Sequence, residues 1–132
     1  YYYPYYLIFF LNNFDIMKKR LLVMNGQKLV QNDFAGEWKT EKVCKAEGIK
    51  PGVYNLYNAI DADQSKDNIG EVIHIDKKEN VLYQKNGSQY IKHDLSCFDQ
   101  IPETGHMMNI KYENNKTSTT EVSNKLIQKI KL

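Results

Sequence analysis

Residues 52–112 read GVYNLYNAIDADQSKDNIGEVIHIDKKENVLYQKNGSQYIKHDLSCFDQIPETGHMMNIKY, and this stretch decides the fold class. Its short alternating apolar runs are separated at near-regular intervals by Gly, Asn-Gly, Asp and Pro, the residues that favour turns. Short strands with such turn signals between them are typical of small all-β folds. The stretch therefore predicts a mainly β domain, either a small barrel of SH3-like type or a strongly bent antiparallel sheet.

The sequence before this stretch adds an N-terminal hairpin. Arg20–Met24 (RLLVM) and Gln27–Gln31 (QKLVQ) are β-type apolar runs, and Asn25-Gly26 lies between them. Asn-Gly favours a type I′ turn because both central residues need a positive φ. A second Asn-Gly, at Asn86-Gly87, predicts another hairpin in the middle of the domain. Asn32-Asp33 and Gly36 together predict a loop after the first hairpin.

The two ends of the chain differ from the body. The first sixteen residues, YYYPYYLIFFLNNFDI, are strongly aromatic, and their apolar run is too short to span a bilayer. We expect them to be either non-native sequence ahead of a start at Met17 or an aromatic arm that docks on the domain or on a partner. At the other end, Leu126, Ile127 and Ile130 form one stripe of a short helix that Ser123 caps. The predicted organisation is an aromatic extension (1–16), an N-terminal hairpin and connector (17–50), the main β domain (51–122) and a C-terminal helix (123–132).

The composition is that of an ordinary soluble globule. The chain has 132 residues, 42% hydrophobic and 26% charged, with a formal net charge of +2. So small a net charge argues against a protein held to nucleic acid mainly by phosphate attraction. The only two cysteines, Cys44 and Cys97, are expected to be free thiols in a reducing cytoplasm, although a disulfide between them is open from sequence.

No combination of residues in the chain predicts catalysis or a metal site. The three histidines, His74, His93 and His106, lie nineteen and thirteen residues apart, without the close ligand pairs that zinc sites use. A catalytic Cys97 with His93 or His106 would need a thiolate of low pKa, of which the sequence gives no sign. His93 and the adjacent Asp94 should point to opposite faces of a strand, so Asp94 is predicted to cap the following turn. We therefore predict a protein without catalytic residues, metal or cofactor.

Aromatic and basic residues that share a strand face are the candidate binding residues. Tyr83 alternates with Lys85, and Tyr90 alternates with Lys92, as in small barrels that stack single-stranded bases. Half-buried tyrosines beside solvated lysines are the other interpretation. Trp38, the sole tryptophan, is either a core or interface residue or a ligand platform.

The ordered motifs of the main domain resemble the KfrB domain family. GVYNLY (52–57), GEVIHID (70–76), VLYQKNG (81–87), IKHD (91–94), FDQIPETG (98–105) and NIKY (109–112) carry the resemblance. The family occurs in plasmid-maintenance and conjugation-associated proteins, so the resemblance implies a small β-rich accessory module with protein partners and no reaction. Gln84 and His93 match recurring polar positions without an obvious backbone reason. With Tyr83, they are predicted to be surface-site residues.

Three functional hypotheses follow for this chain. The leading one is a non-enzymatic accessory protein of a plasmid or other mobile element that acts by protein–protein contact. The alternatives are a module that binds single-stranded nucleic acid and an inhibitor of a host defence nuclease. The binding candidates are Tyr83, Gln84, Tyr90, Lys92, His93 and Trp38, and the sequence leaves the oligomeric state open.

Overall fold

The computed structural model describes residues 18–122. This part of the chain consists of ten β-strands and two short 3₁₀ turns, so the predicted mainly β class is confirmed. The chain divides into two compact units, with the boundary between Tyr57 and Asn58. Residues up to Tyr57 are called unit 1, and residues from Asn58 onwards are called unit 2.

Unit 1 contains a four-stranded antiparallel sheet with the order β3-β2-β1-β4. Its strands are β1 (Lys19–Met24), β2 (Gln27–Phe34), β3 (Glu37–Lys45) and β4 (Gly52–Tyr54). Asn25 and Gly26 have φ values of 52° and 73°, which confirms the predicted hairpin. Of the residues predicted to form the next loop, Asn32 and Asp33 belong instead to β2, whereas Gly36 lies in the turn, which forms at Ala35-Gly36. The Asp33 carboxylate accepts the Gly36 N–H at 2.9 Å, so Asp33 caps this turn from within the strand.

The buried face of the unit 1 sheet combines apolar side chains with two buried lysines, Lys19 and Lys28. Leu21 lies opposite Val30 on β2 and opposite Tyr54 on β4, and all three are buried. Strand β4 ends at Tyr54, since a 3₁₀ turn over Leu56–Asn58 follows and buries Leu56. The Tyr54 hydroxyl donates to the Lys50 carbonyl, which connects β4 to the preceding loop.

Unit 2 contains a six-stranded sheet with the order β10-β9-β6-β7-β8-β5. Its strands are β5 (Ile60–Asp61), β6 (Asn68–Asp76), β7 (Val81–Asn86), β8 (Gln89–Asp94), β9 (Met107–Glu113) and β10 (Lys116–Glu121). All neighbours are antiparallel except β5, which runs parallel to β8. The second predicted hairpin is present, but its turn is Gly87-Ser88, one residue later than the Asn-Gly pair.

The core of unit 2 is built from the inward-facing residues of the sheet and from the connector after β8. Its buried members are Val72, Leu82, Leu95, Phe98, Met108 and Ile110. Asp94 caps the 3₁₀ turn at Leu95–Cys97 by accepting the Ser96 N–H at 2.9 Å, as predicted.

Of the two predicted forms, a small barrel or a strongly bent antiparallel sheet, a closed barrel is not formed by the described residues. Each of the two sheets ends in edge strands, β3 and β4 in unit 1 and β10 and β5 in unit 2, which are not hydrogen-bonded to each other. Closure would require the two ends of one sheet to pair. The narrower SH3-like assignment stays a prediction, and the C-terminal helix predicted over 123–132 lies outside the described residues. In the described part, neither helical segment has the length and apolarity needed to cross a membrane.

Candidate functional site

Five of the six predicted binding residues lie on the β7–β8 hairpin of unit 2. Antiparallel pairing places Tyr83 opposite Lys92 and Gln84 opposite Ile91. Because directly opposite residues share a face, the hairpin has one face with Tyr83, Tyr90 and Lys92, and another with Gln84 and His93. The sixth candidate, Trp38, lies on β3 of unit 1.

Gln84 is a fully buried amide with a fixed orientation. Its Nε2 donates to the carbonyl oxygens of Asn68 at 3.0 Å, Gly70 at 3.2 Å and Met108 at 3.0 Å. These carbonyls belong to β6 and β9, so one side chain connects three strands of the sheet. Since carbonyl oxygens only accept, the atom beside them must be the amide nitrogen, and Oε1 is left to accept.

The fixed amide determines the tautomer of His93. The Gln84 Oε1 lies 2.9 Å from His93 Nε2, so Nε2 carries the hydrogen. In the neutral ring Nδ1 is then an acceptor, and it accepts the Tyr112 hydroxyl at 2.5 Å. The two rings also stack, with centroids 5.7 Å apart. We call this chain of hydrogen bonds, Tyr112 to His93 to Gln84 to the backbone, the buried relay.

Burial keeps the relay uncharged. Desolvation lowers the pKa of His93 to about 4 and raises the pKa of Tyr112 to about 12. Neither group changes its protonation near neutral pH, which is unlike a general acid or base adapted to that pH. The relay therefore holds β6, β7, β8 and β9 together, and its polar groups satisfy one another.

The pKa of His93 predicts that the protein loses stability on mild acidification. In the unfolded chain His93 takes up its proton near pH 6.5, whereas in the folded chain it does so near pH 4. The unfolded state binds more protons between these values, so the free energy of unfolding should fall by about 3 kcal/mol as the pH drops through this window. Urea denaturation of the wild type at a series of pH values from 7 to 4 measures this slope.

The control for this prediction is His93→Gln, which removes the titrating group. Its stability at pH 7 is lower, but the part of the pH slope that depends on His93 should disappear. His106 acts in the opposite sense, because its hydrogen bond to Glu121 raises its pKa, so that its contribution is present at low pH and is lost as pH rises. Equal slopes for the wild type and His93→Gln would contradict the prediction.

The predicted surface positions of Tyr83, Gln84 and His93 are wrong. Their exposed fractions are 7%, 0% and 2%, so all three are interior residues. Tyr83 stacks on His74, with ring centroids 6.2 Å apart. His74, at 5% exposure, is also interior, whereas His106 is partly exposed.

The Tyr and Lys residues of the predicted binding face do share a face. Tyr83 opposes Lys92 and Lys85 opposes Tyr90 across the hairpin. The Lys92 ammonium lies 3.8 Å from the Asp61 carboxylate on β5. Tyr83 is buried and the Lys92 ammonium faces a carboxylate. This face therefore has fewer groups free to stack on bases or to bind phosphates than the sequence predicts. The binding roles of Tyr90 and Lys92 stay predictions.

A groove of about 270 Å³ lies beside this hairpin and is lined by Asp61, Lys92 and Asp94, among others. Its charged groups already have partners within unit 2. Asp61 faces Lys92, and the Asp94 carboxylate accepts from Ser96 and from the Asn80 amide at 3.0 Å. Ligand sites are usually apolar with a few free polar groups, so this groove is a weak candidate.

The histidines use their ring nitrogens for partners other than cysteine. Both nitrogens of His93 are engaged by Gln84 and Tyr112, and those of His106 lie 2.9 Å from Glu121 and 3.3 Å from Glu103. A thiolate–imidazole pair with Cys97 is therefore not formed in the described part of the chain. Cys44 and Cys97 are free thiols, as predicted. Within residues 18–122, no three His, Cys, Asp or Glu side chains converge as metal ligands would.

Trp38 belongs to a cluster of aromatic and cationic side chains in unit 1. The Arg20 guanidinium lies over its ring, 4.2 Å from the centroid, and the Tyr57 ring is 6.1 Å away. The Lys18 ammonium lies 5.8 Å from the Tyr57 centroid. We call Lys18, Arg20, Trp38 and Tyr57 the Trp38 cluster. Tyr57 is 41% exposed and Trp38 and Arg20 are half-buried, so a partner can reach the cluster.

A ladder across three strands supports Arg20 from the side. Arg20 opposes Gln31, and Gln31 opposes Thr40. The Arg20 Nε donates to Gln31 Oε1 at 2.8 Å, and the Gln31 amide donates to the Thr40 hydroxyl at 3.2 Å. Gln31 is itself buried, so it holds the guanidinium in one place.

Sequence reasoning missed the partners of Trp38. The Asn25-Gly26 turn does fix Arg20 opposite Gln31, and that signal was available. The turn that brings Trp38 to the same face is Ala35-Gly36, which lacks an Asn-Gly pair. Tyr112, the third member of the buried relay, was also missed, because its pairing depends on the register of β9.

Comparison with known proteins finds a matching family model and a similar protein. Residues 67–121 match the model of the KfrB domain. The chain is also similar to Protein TraB of Escherichia coli, with 31% identity over 96 residues, which covers 70% of this chain and 64% of TraB. Seventy per cent of the chain is more than unit 2 contains, so the similarity extends into unit 1.

Proposed function

We propose that this protein, whose residues 67–121 match the model of the KfrB domain, is a non-enzymatic accessory factor of a plasmid or other mobile element that acts through protein–protein contacts. The similarity to Protein TraB supports the same setting. We place this activity in the cytoplasm, where the free thiols Cys44 and Cys97 would stay reduced.

The Trp38 cluster is the observation that carries the proposed contact. Trp, Tyr and Arg are the residue types that contribute most binding energy at protein interfaces. Trp38, Tyr57 and Arg20 lie beside one another and are accessible in unit 1. Rigid aromatic rings lose little conformational entropy on binding, so such a cluster suits the centre of an interface.

The nucleic-acid alternative has weaker support. The Tyr and Lys face of unit 2 has Tyr83 covered and Lys92 close to Asp61, which leaves few free groups for stacking and for phosphates. An inhibitor of a host defence nuclease would be a special case of a protein-contact function, and the same cluster would serve it. Chemistry by the buried relay would need a proton acceptor near neutral pH, and His93 has its pKa lowered to about 4.

Site-specific photocross-linking tests the proposed contact. A photoreactive phenylalanine derivative at Tyr57 should cross-link to one or a few discrete proteins in a bacterium that carries the mobile element. Adding Trp38→Ala should reduce this cross-linking roughly tenfold or more, because it removes a central aromatic contact. The same photoreactive residue at Lys77, on the exposed loop between β6 and β7, is the matched control. Cross-linking at Tyr57 that does not exceed the control would overturn the proposal.

A further inference from the structure

The Arg20 guanidinium in the Trp38 cluster is held on two sides and open on the third. Its Nε is bonded to Gln31, and its plane lies over the Trp38 ring. Both contacts leave the terminal nitrogens, Nη1 and Nη2, for another partner. A guanidinium fixed in this way presents a planar fork of donors at little further entropic cost.

The two cations of the cluster are not neutralised by acidic neighbours. Among residues 18–122, no carboxylate oxygen lies within the 4.0 Å ion-pair distance of Lys18 or Arg20. Their sequence neighbour Lys19 differs, because its ammonium lies 3.7 Å from Glu41. Arg20 is paired instead with a neutral amide, and Lys18 with an aromatic ring. The cluster therefore combines two free positive charges with two aromatic surfaces.

This combination selects a carboxylate beside apolar side chains. A carboxylate matches the guanidinium fork with two parallel hydrogen bonds, and the rings of Trp38 and Tyr57 would pack against neighbouring apolar groups. A nucleic-acid backbone fits less well, because it would need a row of cations to neutralise successive phosphates. Here only two cations, Lys18 and Arg20, are available in the cluster.

From these contacts we infer that the Trp38 cluster is a receptor for an acidic segment of a protein partner, in which Arg20 binds a carboxylate through Nη1 and Nη2 while Lys18 supplies a second positive charge. This inference rests on the proposed protein-contact function and specifies the chemistry of the partner.

Titration followed by NMR tests this inference on the full chain. The probe is a synthetic peptide of about ten alternating Leu and Asp residues, and the matched peptide has Asn in place of Asp. The acidic peptide should shift the Arg20 Nε–H and Trp38 indole N–H signals and bind more weakly as salt rises. Arg20→Gln should weaken its binding roughly tenfold or more. Arg20→Lys, which keeps the charge without the fork, should weaken it several-fold. Lys77→Gln, an exposed cation of unit 2, should leave it unchanged.

Several outcomes would overturn the inference. Equal binding of the Asn peptide would show that the cluster does not recognise a carboxylate. Tighter, competing binding of a single-stranded oligothymidylate would show that its ligand is a nucleic acid and not a protein segment. If the acidic peptide does not bind the wild type, or if it binds Arg20→Gln with full affinity while the melting temperature is unchanged, the Trp38 cluster is not a carboxylate site. The cross-linking assay separates the two proposals. If cross-links at Tyr57 persist in Arg20→Gln, the contact surface stands and the carboxylate receptor fails; if they are absent in the wild type, the proposed function itself fails.

Discussion

Replacing Gln84 with Met is expected to lower the free energy of unfolding by about 3 kcal/mol or more. Met has a similar length and no donor, so the carbonyls of Asn68, Gly70 and Met108 lose the amide hydrogens that they accept. The His93 Nε2–H loses its acceptor in the same substitution. Each buried group left without its partner costs about 1–3 kcal/mol, although these costs are not strictly additive. Chemical denaturation at pH 7 measures the loss.

Two further variants show whether the amide itself is responsible. Gln84→Glu keeps the shape but places a carboxyl group against three carbonyl oxygens, so it should destabilise at least as much as Met. Gln89→Met, an exposed glutamine at the start of β8, should change stability by less than about 0.5 kcal/mol. If Gln84→Met costs no more than Gln89→Met, the buried relay does not hold the sheet together.

Sequence periodicity predicted the strands because each alternates apolar and polar residues at the period of a β-strand. It placed Tyr83 on the same face as Lys85 and Tyr90 on the same face as Lys92, as found. It did not predict which face is buried around Gln84, because an amide in the core is indistinguishable from a surface amide until its partners are known. Those partners are backbone carbonyls of β6 and β9, which carry no side-chain signal.

The register between β7 and β8 also differs from the one that the sequence predicts. A turn at Asn86-Gly87 would place Tyr83 opposite Tyr90, whereas the observed turn at Gly87-Ser88 places Tyr83 opposite Lys92. Only Gly87 of this pair has a positive φ (61°), as in a type II′ turn, which has glycine first. The shift keeps every side chain on its predicted face and changes all its partners. Contacts such as the one between Lys92 and Asp61 were therefore beyond prediction.

The region of unit 2 that matches the KfrB domain model and the Trp38 cluster of unit 1 have different proposed roles. In unit 2 the polar groups that recur in the family motifs, Gln84 and His93, are interior and hold the sheet. In unit 1 the aromatic and cationic groups are accessible, and two of the cations lack an acidic neighbour among residues 18–122. We therefore expect substitutions in the relay to act through stability and substitutions in the Trp38 cluster to act through binding.

Gly70→Ala is expected to destabilise unit 2 strongly, because β6 and β7 approach each other closely at this position. A Cβ built at Gly70 would lie 2.6 Å from the Lys85 carbonyl oxygen and 3.0 Å from Gln84 Cγ. The first contact is with backbone of the neighbouring strand, which cannot rotate away, and the second would push the relay amide from its three carbonyls. We expect a loss of about 3 kcal/mol or more, at the upper end of overpacking effects. Melting temperature and chemical denaturation measure it.

Gly26→Ala separates this steric cause from the conformational preference of glycine. Gly26 has a φ of 73°, and a Cβ there would meet no atom within 4 Å. Its substitution should therefore cost only the backbone strain of a left-handed alanine, about 1–2 kcal/mol. Gly70 has no left-handed φ, so its cost must come from the close approach of β6 and β7. A Gly70→Ala protein as stable as Gly26→Ala would mean that the strands separate without loss and that the relay does not depend on their spacing.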